Sequence, residues 1–321
     1  MSGRARHRNR RTGPYCGWVP RIAYFGPQGT FTEQAARTFG PADLVAIETV
    51  PQVLAAVRSG EADFGCVPIE NSVGGAVTTT MDALAEDEPL VAVAEHVLPV
   101  RFSVLVRPGT AAEDVKTVAS HPHALTQIRD WIAENLPNAT PVASTSTSSA
   151  AVHVQEGEFD AAVSAPVAIT HYPSLVELAT DVADVRNAVT RFLLLSRPTH
   201  VPGQTGADRT SLAVVIAHDE PGSLASTLSE LALRGINLTR IESRPLRGLF
   251  GEYRFYLDFD GHIAEERVAD ALAALHRTCK QVRFLGSFRK SDESPSIPEG
   301  KSTDDDYTAA RDWVARMREG R

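Results

Sequence analysis

The chain has 321 residues, of which 43% are hydrophobic and 22% are charged, and its formal net charge is −8 at pH 7. That length is typical of two or three globular domains, and an acidic chain lacks the basic face that general nucleic-acid binding requires. No apolar run approaches the roughly 20 residues of a transmembrane helix, so we expect no membrane segment.

The three cysteines, Cys16, Cys66 and Cys279, lie far apart along the chain. They have neither the spacing of a zinc site nor the even number of a disulfide framework, so we expect no metal and a reducing, cytoplasmic location. Residues 1–20 contain five arginines but no apolar stretch follows them, unlike a secretory signal. We expect a disordered extension there, with a transit peptide as the less favoured alternative.

From residue 21 onward, short apolar strands alternate with helices. The predicted strands lie at residues 22–25, 44–48, 63–67, 90–98, 101–107, 140–143, 161–163 and 192–196. The predicted helices lie at residues 30–39, 51–59, 124–135 and 149–155. Such alternation is typical of a parallel sheet with helices on both faces.

We therefore predict one α/β unit over residues 21–198. Its two lobes would be residues 21–99 with 180–198, and residues 100–179. The chain would cross between them at Pro99 and Val100, where two long β-rich runs meet, and again somewhere within 178–190.

Prolines and glycines then mark a linker at residues 199–210. After it come a strand at 211–217, a helix at 222–234, strands at 237–244 and 252–259, a helix at 265–276 and a strand at 282–286. The order βαββαβ predicts a second, ferredoxin-like domain over residues 211–289. Residues 290–321 are polar and predict a solvated tail that ends in a short amphipathic helix.

The sequence lacks the Walker phosphate loop, the Gly-x-Ser-x-Gly nucleophile motif and the His-Glu-x-x-His and Cys-x-x-Cys zinc motifs. Metal binding by His121 and His123, which lie two residues apart, is less favoured than packing or substrate contact at a helix start. The remaining polar groups are hydroxyls, amides and arginines. They suit the binding of a small anion and the supply of a proton, without a metal or a covalent cofactor.

A turn at residues 26–31, Gly-Pro-Gln-Gly-Thr-Phe, joins the first strand to the first helix. Free backbone N–H groups and the positive end of the helix dipole favour an anion there, which makes Gly29, Thr30 and Phe31 candidate ligand contacts. Thr30 and Glu33 also have the spacing of a capping box. A plain strand-to-helix turn is the alternative.

Glu70, Asn71 and Ser72 end the run Pro-Ile-Glu-Asn-Ser after the third strand. The carboxyl ends of parallel strands face the crevice in which α/β sheets bind ligands, so these side chains are candidates for the same site. The alternatives are an ion pair for Glu70 and helix capping for Asn71 and Ser72.

Three further segments add polar groups. Ser-His-Pro-His-Ala at 120–124, with His121, opens a helix, and the Ser/Thr run at 144–149, with Ser144 and Thr145, precedes another. Asn-Ala-Val-Thr-Arg-Phe at 187–192 precedes the last strand of the α/β unit. The Thr190 hydroxyl is able to give a proton, and the planar Arg191 guanidinium suits a carboxylate. Taken alone, each segment is equally compatible with a loop or a strand start.

Together, Gly-Pro-x-Gly-Thr-Phe, Pro-Ile-Glu-Asn-Ser, Ser-x-Pro and Asn-x-x-Thr-Arg-Phe, in this order, resemble the prephenate dehydratases. The C-terminal unit resembles an ACT regulatory domain through Glu-Pro-Gly-Ser-Leu at 220–224, Gly-Ile-Asn-Leu-Thr at 235–239 and Ile-Glu-Ser-Arg-Pro at 241–245. The resemblance covers about residues 21–289. The chain departs from the family pattern at His123, where Gln is common, and at Ser223, where Ala is commoner.

The resemblance implies a bilobed catalytic domain like the type II periplasmic binding proteins, followed by the ACT domain. It implies a monofunctional, cofactor-free lyase that converts prephenate to phenylpyruvate, water and carbon dioxide. It further implies feedback regulation by L-phenylalanine and a homodimer or homotetramer formed through the ACT domain.

The resemblance also implies roles for particular residues. Thr190 would act on the leaving hydroxyl, and Arg191 would orient a carboxylate or support the loop through an internal ion pair. The residues implied in catalysis are Thr190, Arg191, Asn71 and Ser72. Those implied in substrate binding are Gly29, Thr30, Phe31, Glu70, His121, Ser144, Thr145 and Phe192. Those implied in L-phenylalanine binding are Gly222, Ser223, Leu224, Asn237, Leu238, Thr239, Glu242, Ser243 and Arg244.

Three other interpretations fit the sequence in part. Arogenate dehydratase differs from the first interpretation only in a substrate that carries an amino group in place of a keto group. A bilobed α/β unit also suits a solute-binding protein, although the chain lacks the secretion signal of one. An amino-acid sensor with an inactive catalytic domain is the third.

Overall fold

The computed structural model of the chain describes residues 19–198, 201–217, 220–246, 248, 251–298 and 300–320. Most of the extension predicted at residues 1–20 lies outside the described residues, and so does Cys16. The two cysteines among the described residues, Cys66 and Cys279, form no disulfide.

The first lobe has the predicted alternation of strands and helices. Its strands are β1 (Arg21–Phe25), β2 (Asp43–Ile47), β3 (Phe64–Asn71), β4 (Gly75–Ala76) and β5 (Val91–Pro99). Its helices are α1 (Phe31–Thr38), α2 (Val50–Ser59) and α3 (Thr78–Ala85). The hydroxyls of Thr30 and Thr49 cap α1 and α2 by accepting a backbone N–H three residues on.

The second lobe is a smaller α/β unit. Its strands are β6 (Ser103–Val106), β7 (Thr117–Ser120), β8 (Thr140–Ala143), β9 (Ala161–Ser164) and β10 (Val176–Thr180). Its α-helices are α4 (Pro122–Thr126), α5 (Arg129–Asn135) and α6 (Thr147–Glu156).

The single helix predicted at 124–135 is wrong, because the chain breaks between α4 and α5. Ile128 adopts φ −132° and ψ 14°, outside the helical region. The carboxylate of Asp184 then accepts the N–H groups of Asp130 and Trp131 at the start of α5. A contact from a distant loop therefore caps a second helix where the local pattern predicts continuation.

The chain returns to the first lobe through β11 (Val189–Ser196). This strand pairs antiparallel with both β3 and β5. The segments that pass between the two sheets are thus residues 100–102 and 181–188.

The C-terminal domain follows the predicted order βαββαβ. Its strands are β12 (Asp208–Ile216), β13 (Leu238–Pro245), β14 (Tyr253–Asp260) and β15 (Cys279–Arg289). Its helices are α7 (Ser223–Ala232) and α8 (Glu266–Thr278), and the tail ends in α9 (Asp304–Arg318). The tail helix is anchored to α8 by an ion pair between Arg311 and Glu266.

One ten-stranded sheet joins the C-terminal domain to the first lobe. Its order is β13-β14-β12-β15-β5-β11-β3-β1-β2, with β4 beside β3, and the second lobe has its own sheet, β10-β6-β9-β7-β8. The junction is the pair Gly286 and Ala92. Gly286 has φ +137°, and a Cβ there would collide with the Ala92 backbone, so this close approach requires glycine.

The hydrophobic core also crosses this junction. Tyr256, Leu285 and Phe288 of the C-terminal sheet join Leu54 and Met81 of the first lobe in one buried cluster. The other face of the same sheet packs on α7 and α8. None of the described helices is both long enough and apolar enough to span a bilayer.

Candidate active site

The site begins where β3 ends and β11 starts. The two strands pair so that Thr190 lies opposite Asn71 and Arg191 lies opposite Glu70. Two segments that are 119 residues apart in sequence therefore meet at one sheet edge. Since successive side chains of a strand point to opposite faces, Thr190 and Arg191 face different surroundings.

The Thr190 hydroxyl is held by a single amide. Asn71 Nδ2 donates to Thr190 Oγ1 over 2.8 Å, while Asn71 Oδ1 accepts the N–H groups of Val73 and Gly74 at 2.9 and 2.7 Å. These two backbone donors fix which end of the amide faces Thr190. No acceptor for the Thr190 O–H lies among the described residues, so its proton is available to a ligand. A hydroxyl that already accepts one hydrogen bond is a better donor of another.

Ser72 links the end of β3 to the start of β11 through two hydrogen bonds with Val189. Its N–H donates to the Val189 carbonyl, and its Oγ accepts the Val189 N–H, both over 2.9 Å. The Ser72 hydroxyl thus fixes the loop beside Thr190 and still has its own proton to donate.

Arg191 points away from the Thr190 hydroxyl into a set of charges that we call the interdomain cluster. Its members are Glu70, Glu95, Arg191, Arg209, Arg240 and Asp258. Arg191 Nη2 donates to Asp258 and lies 3.5 Å from Glu70, and Arg191 Nη1 lies 3.3 Å from Glu95. Of the two roles predicted for Arg191, the internal ion pair matches this placement.

The surrounding charges keep both Arg191 and Asp258 ionised. Burial alone would lower the pKa of Arg191, but the charges of Asp258, Glu95 and Glu70 raise it above the ordinary arginine value. Burial would raise the pKa of Asp258, but Arg191 and Arg240 hold it below the ordinary carboxyl range.

The glycine turn differs from its prediction as an anion site. The N–H of Gly29 donates to Glu33 Oε2 over 2.6 Å, so a buried carboxylate of the protein occupies the start of α1. Arg37 and His171 Nε2 contact the other oxygen of Glu33. Thr30 is also engaged, since its hydroxyl donates to the Pro27 carbonyl. Glu33 was predicted only as part of a capping box, and its real partners include a residue 138 positions away.

This turn is instead where the two lobes touch. Ser148 of the second lobe donates to the Gln28 carbonyl and lies 3.0 Å from the Tyr172 hydroxyl. Gly29 has φ +81°, and a Cβ there would meet Ser148 and Ala168. Phe31 packs edge-on against Phe102 of the second lobe, with ring centroids 5.3 Å apart. Gly29 and Phe31 were predicted as ligand contacts and Ser148 lies in the Ser/Thr run, whereas no site motif included Tyr172 or Ala168.

We expect Glu33→Gln to weaken the lobe contact in a pH-dependent way. Burial would raise the pKa of Glu33, but the Gly29 N–H, Arg37 and His171 lower it. A carboxyl group whose pKa is lower in the folded state stabilises the fold at pH values above its unfolded-state pKa. That contribution is lost as the pH falls through the folded-state pKa. Urea unfolding at pH 7 should show a loss of about 1.5–3 kcal/mol, typical of a hydrogen bond to a charged group.

The same comparison near pH 3 should show a smaller loss, because Glu33 is then protonated in more of the wild-type molecules. Glu61→Gln, an exposed position, is the matched control, with an effect within about 0.5 kcal/mol. An equal loss at both pH values would contradict the charge-based explanation.

The second lobe contributes polar groups at its own sheet edge. Ser120 pairs with Ala143 on the neighbouring strand, so His121 and Ser144, one residue further on, leave the sheet at the same level. The Ser144 hydroxyl is buried and has no hydrogen-bond partner among the described residues. Burial and the neighbouring His123 lower the pKa of His121, and its Nδ1 accepts the His123 N–H over 3.3 Å. The neutral ring therefore carries its proton on Nε2, as a donor. Thr145 is exposed nearby.

Phe192 is placed differently from its prediction as a substrate contact. Its side chain is 1% exposed and packs in the core of the first lobe with Ile22, Tyr24 and Leu98. A ring buried there stabilises β11 and does not reach a ligand in a cleft.

The residues predicted to bind an effector fall into two separate places within one chain. Gly222, Ser223 and Leu224 line a cavity of about 880 Å³ at the start of α7. Leu238, Thr239, Glu242, Ser243 and Arg244 lie on β13, and Asn237 directly precedes it. Several of these side chains have partners, since Asn237 donates to Asp260, Thr239 to the Asp258 carbonyl and Arg244 to Asp82.

Comparison with known proteins gives the same outline. Residues 22–200 match the family model described as prephenate dehydratase, and residues 211–277 match the ACT domain. A prephenate dehydratase of Amycolatopsis methanolica is 60% identical over 305 residues, which are 94% of this chain and 99% of that protein.

Two solved structures extend the comparison. A prephenate dehydratase of Arthrobacter aurescens in complex with L-Phe is 42% identical, with a TM-score of 0.89 over 93% of this chain and 99% of that one. GqqA, described as a novel type of quorum quenching acylase, is 31% identical, with a TM-score of 0.76 over 87% and 98%. The bilobed fold with a C-terminal ACT domain is thereby confirmed.

Proposed function

The chain belongs to the prephenate dehydratase family, and we propose that it converts prephenate to phenylpyruvate, water and carbon dioxide in L-phenylalanine biosynthesis. The observation that carries this proposal is the Thr190 hydroxyl, held by Asn71 with its own proton free. We prefer this carbon–oxygen lyase activity to the acylase activity named for GqqA, because the identity to a prephenate dehydratase is 60% and to GqqA 31%.

The chemistry asks little of the protein beyond placement. Prephenate carries a ring carboxylate, a pyruvyl carboxylate and a ring hydroxyl. The bond from the ring to its carboxylate breaks, its electrons complete the aromatic ring, and the ring hydroxyl leaves. Aromatisation supplies the driving force, and a positioned proton donor typically contributes 10²–10⁴-fold.

In this scheme Thr190 donates a hydrogen bond to the departing hydroxyl and passes it a proton, directly or through a relay, so that it leaves as water, and a proton from solvent restores the Thr190 hydroxyl. Ser144 and the His121 Nε2–H from the second lobe supply neutral donors to the oxygen atoms of the substrate, and Ser72 holds the loop beside Thr190 through Val189. Closure of the lobes on prephenate would orient it, which contributes as much as the proton transfer or more. No cofactor enters the scheme.

The test supplies prephenate and arogenate separately to the purified full-length protein and measures phenylpyruvate and phenylalanine. We expect phenylpyruvate from prephenate, with Thr190→Ala as the control for contaminating activity. Phenylalanine from arogenate alone would identify an arogenate dehydratase. No product from either substrate would favour a binding or sensing protein. The cytoplasmic location stays a prediction.

For the C-terminal domain we propose a homodimer formed through β13. This strand lies at one end of the ten-stranded sheet, so its outer edge carries unpaired N–H and C=O groups. Such an edge readily pairs with another strand, and Ile241 at its centre is 42% exposed. Pairing of β13 with the same strand of a second copy would bring residues 237–244 of one chain towards residues 222–224 of the other.

L-phenylalanine would bind at that dimer interface and inhibit the enzyme, which fits the L-Phe complex of the Arthrobacter relative. A ligand shared by two subunits couples its occupancy to their arrangement. Light scattering of the wild-type protein distinguishes this dimer from a tetramer made of two such dimers.

We expect Ile241→Lys to break the dimer and to abolish L-phenylalanine binding together. Lysines on an edge strand block pairing because two charged side chains would meet across the interface. Light scattering should give the mass of one chain, and calorimetry should show no L-phenylalanine binding heat, in contrast to the heat expected for wild type. Val176→Lys, on an exposed position of β10 in the second lobe, is the control and should keep both. Undiminished L-phenylalanine binding by a monomeric variant would contradict the shared site.

A further inference from the structure

The interdomain cluster lies directly behind the Thr190 hydroxyl and is completed by the C-terminal domain. We propose that Asp258, a residue of that domain, is a positioning residue for Thr190 and acts through Arg191. The inference rests on the proposed dehydratase function. It gives the C-terminal domain a part in every turnover, separate from any effector binding.

Burial and adjacency link the three residues. Arg191 is 7% exposed and Asp258 4% exposed, and Arg191 Nη2 donates to Asp258. Arg191 follows Thr190 on β11, so any shift of the Arg191 backbone also moves Thr190. Among the described residues, Asp258 is the carboxylate of the C-terminal domain with which Arg191 forms an ion pair.

The rest of the interdomain cluster interleaves charges from both domains. The first lobe contributes Glu70, Glu95 and Arg191, and the C-terminal domain contributes Arg209, Arg240 and Asp258. Arg209 Nη1 contacts Glu95 at 2.7 Å, and Arg240 Nε contacts Glu70 at 3.4 Å. Each domain thus neutralises carboxylates or arginines of the other. Glu95, Arg191 and Asp258 are buried, and buried charges require such partners.

The backbone at Arg191 is paired regularly on one side only, where Arg191 lies opposite Val97 of β5. The β11–β3 register is irregular between Arg191 and Phe192, since Arg191 lies opposite Glu70 and Phe192 lies opposite Pro68. An irregularity of this kind interrupts the ladder and re-aims the neighbouring side chain. Proline also lacks the N–H that a ladder uses. Because pairing is irregular on the β3 side and regular on the β5 side, the contact of Asp258 with the guanidinium adds to the β5 pairing in holding Thr190 beside Asn71.

The Thr190 hydroxyl lies 2.8 Å from Asn71 Nδ2, so a small displacement would spoil both that contact and its aim at the substrate. Misplacement by about 1 Å can cost a factor of about 10² in rate. Because Asp258 is buried and contacts Arg191 on the side of β11 away from the Thr190 hydroxyl, its loss should lower kcat and leave substrate binding nearly intact.

The test compares full-length Asp258→Asn with wild type in prephenate turnover. We expect kcat to fall by roughly 10–100-fold with KM changed by less than about threefold. Asp258→Glu keeps the carboxylate and should recover part of kcat. Asp270→Asn, which breaks an ion pair between α8 and Arg234 in the turn after α7 of the same domain, is the matched control and should keep wild-type kcat.

A wild-type kcat in folded Asp258→Asn overturns the inference, and so does an equal loss in Asp270→Asn. If Asp258→Asn does not fold, Asp258→Glu and Arg191→Lys decide in its place. A lowered kcat with retained KM in both supports the inference, and wild-type kcat in both overturns it. Wild-type protein without any dehydratase activity would instead remove the proposed function itself.

Discussion

Thr190→Ala should lower kcat for prephenate by about 10²–10⁴-fold, the range that a positioned proton donor contributes. The hydroxyl is 2.8 Å from Asn71 Nδ2, and no acceptor among the described residues uses its proton. Alanine removes the donor to the leaving hydroxyl but leaves β11 paired on both sides. The free energy of unfolding should therefore fall by only about 1 kcal/mol, the usual worth of one neutral hydrogen bond.

Steady-state kinetics and urea unfolding of the same preparations check this expectation. Thr190→Ser is the matched variant, because it keeps the hydroxyl and should keep most of kcat. KM for prephenate should change little in either variant, since the donor acts mainly on the leaving group in the transition state. Near wild-type turnover by Thr190→Ala would show that another group assists the departing hydroxyl.

The strand and helix pattern of the fold was predictable because it depends on the local spacing of apolar residues along the sequence. Alternating apolar strands and helices predicted both α/β lobes, and the βαββαβ order predicted the C-terminal domain. The failure at 124–135 has a non-local cause, since Asp184 caps a second helix 54 residues away in sequence. The junction of two sheets through Gly286 and Ala92 likewise depends on docking between domains, which no local pattern encodes.

The candidate site was predictable to the level of segments but not of side chains. Thr190 and Arg191 are neighbours in sequence, yet strand geometry sends them to opposite faces. The partner that decides the role of Arg191 is Asp258, 67 residues away in another domain. Glu33 shows the same limit: its spacing from Thr30 predicted a helix cap, while its contact with His171 links the two lobes.

The interdomain cluster makes Arg191 a position where a large loss of stability is expected. We expect Arg191→Met to lower the free energy of unfolding by about 3–5 kcal/mol at pH 7, the usual cost of removing one partner of a buried ion pair. Methionine fills similar volume, so the loss reflects charge more than packing. Asp258 and Glu95 would each keep one arginine, Arg240 at 3.8 Å and Arg209 at 2.7 Å, but lose the guanidinium between them.

The pH dependence separates this explanation from a packing defect. In wild type the depressed pKa of Asp258 contributes stability that is present above the unfolded carboxyl pKa of about 3.9 and is lost as pH falls through the folded value. In Arg191→Met, Asp258 is still buried but has lost the positive charge of Arg191, so its protonated form is favoured. The folded state then binds protons more readily than the unfolded state, and its stability rises as the pH falls. Urea unfolding at pH 7 and pH 5 should therefore show a smaller difference from wild type at pH 5.

Arg21→Met, which breaks an exposed ion pair with Asp43, is the control and should cost about 0–1 kcal/mol at both pH values. A loss for Arg191→Met that does not change with pH would mean that packing, and not the unpaired carboxylates, accounts for it.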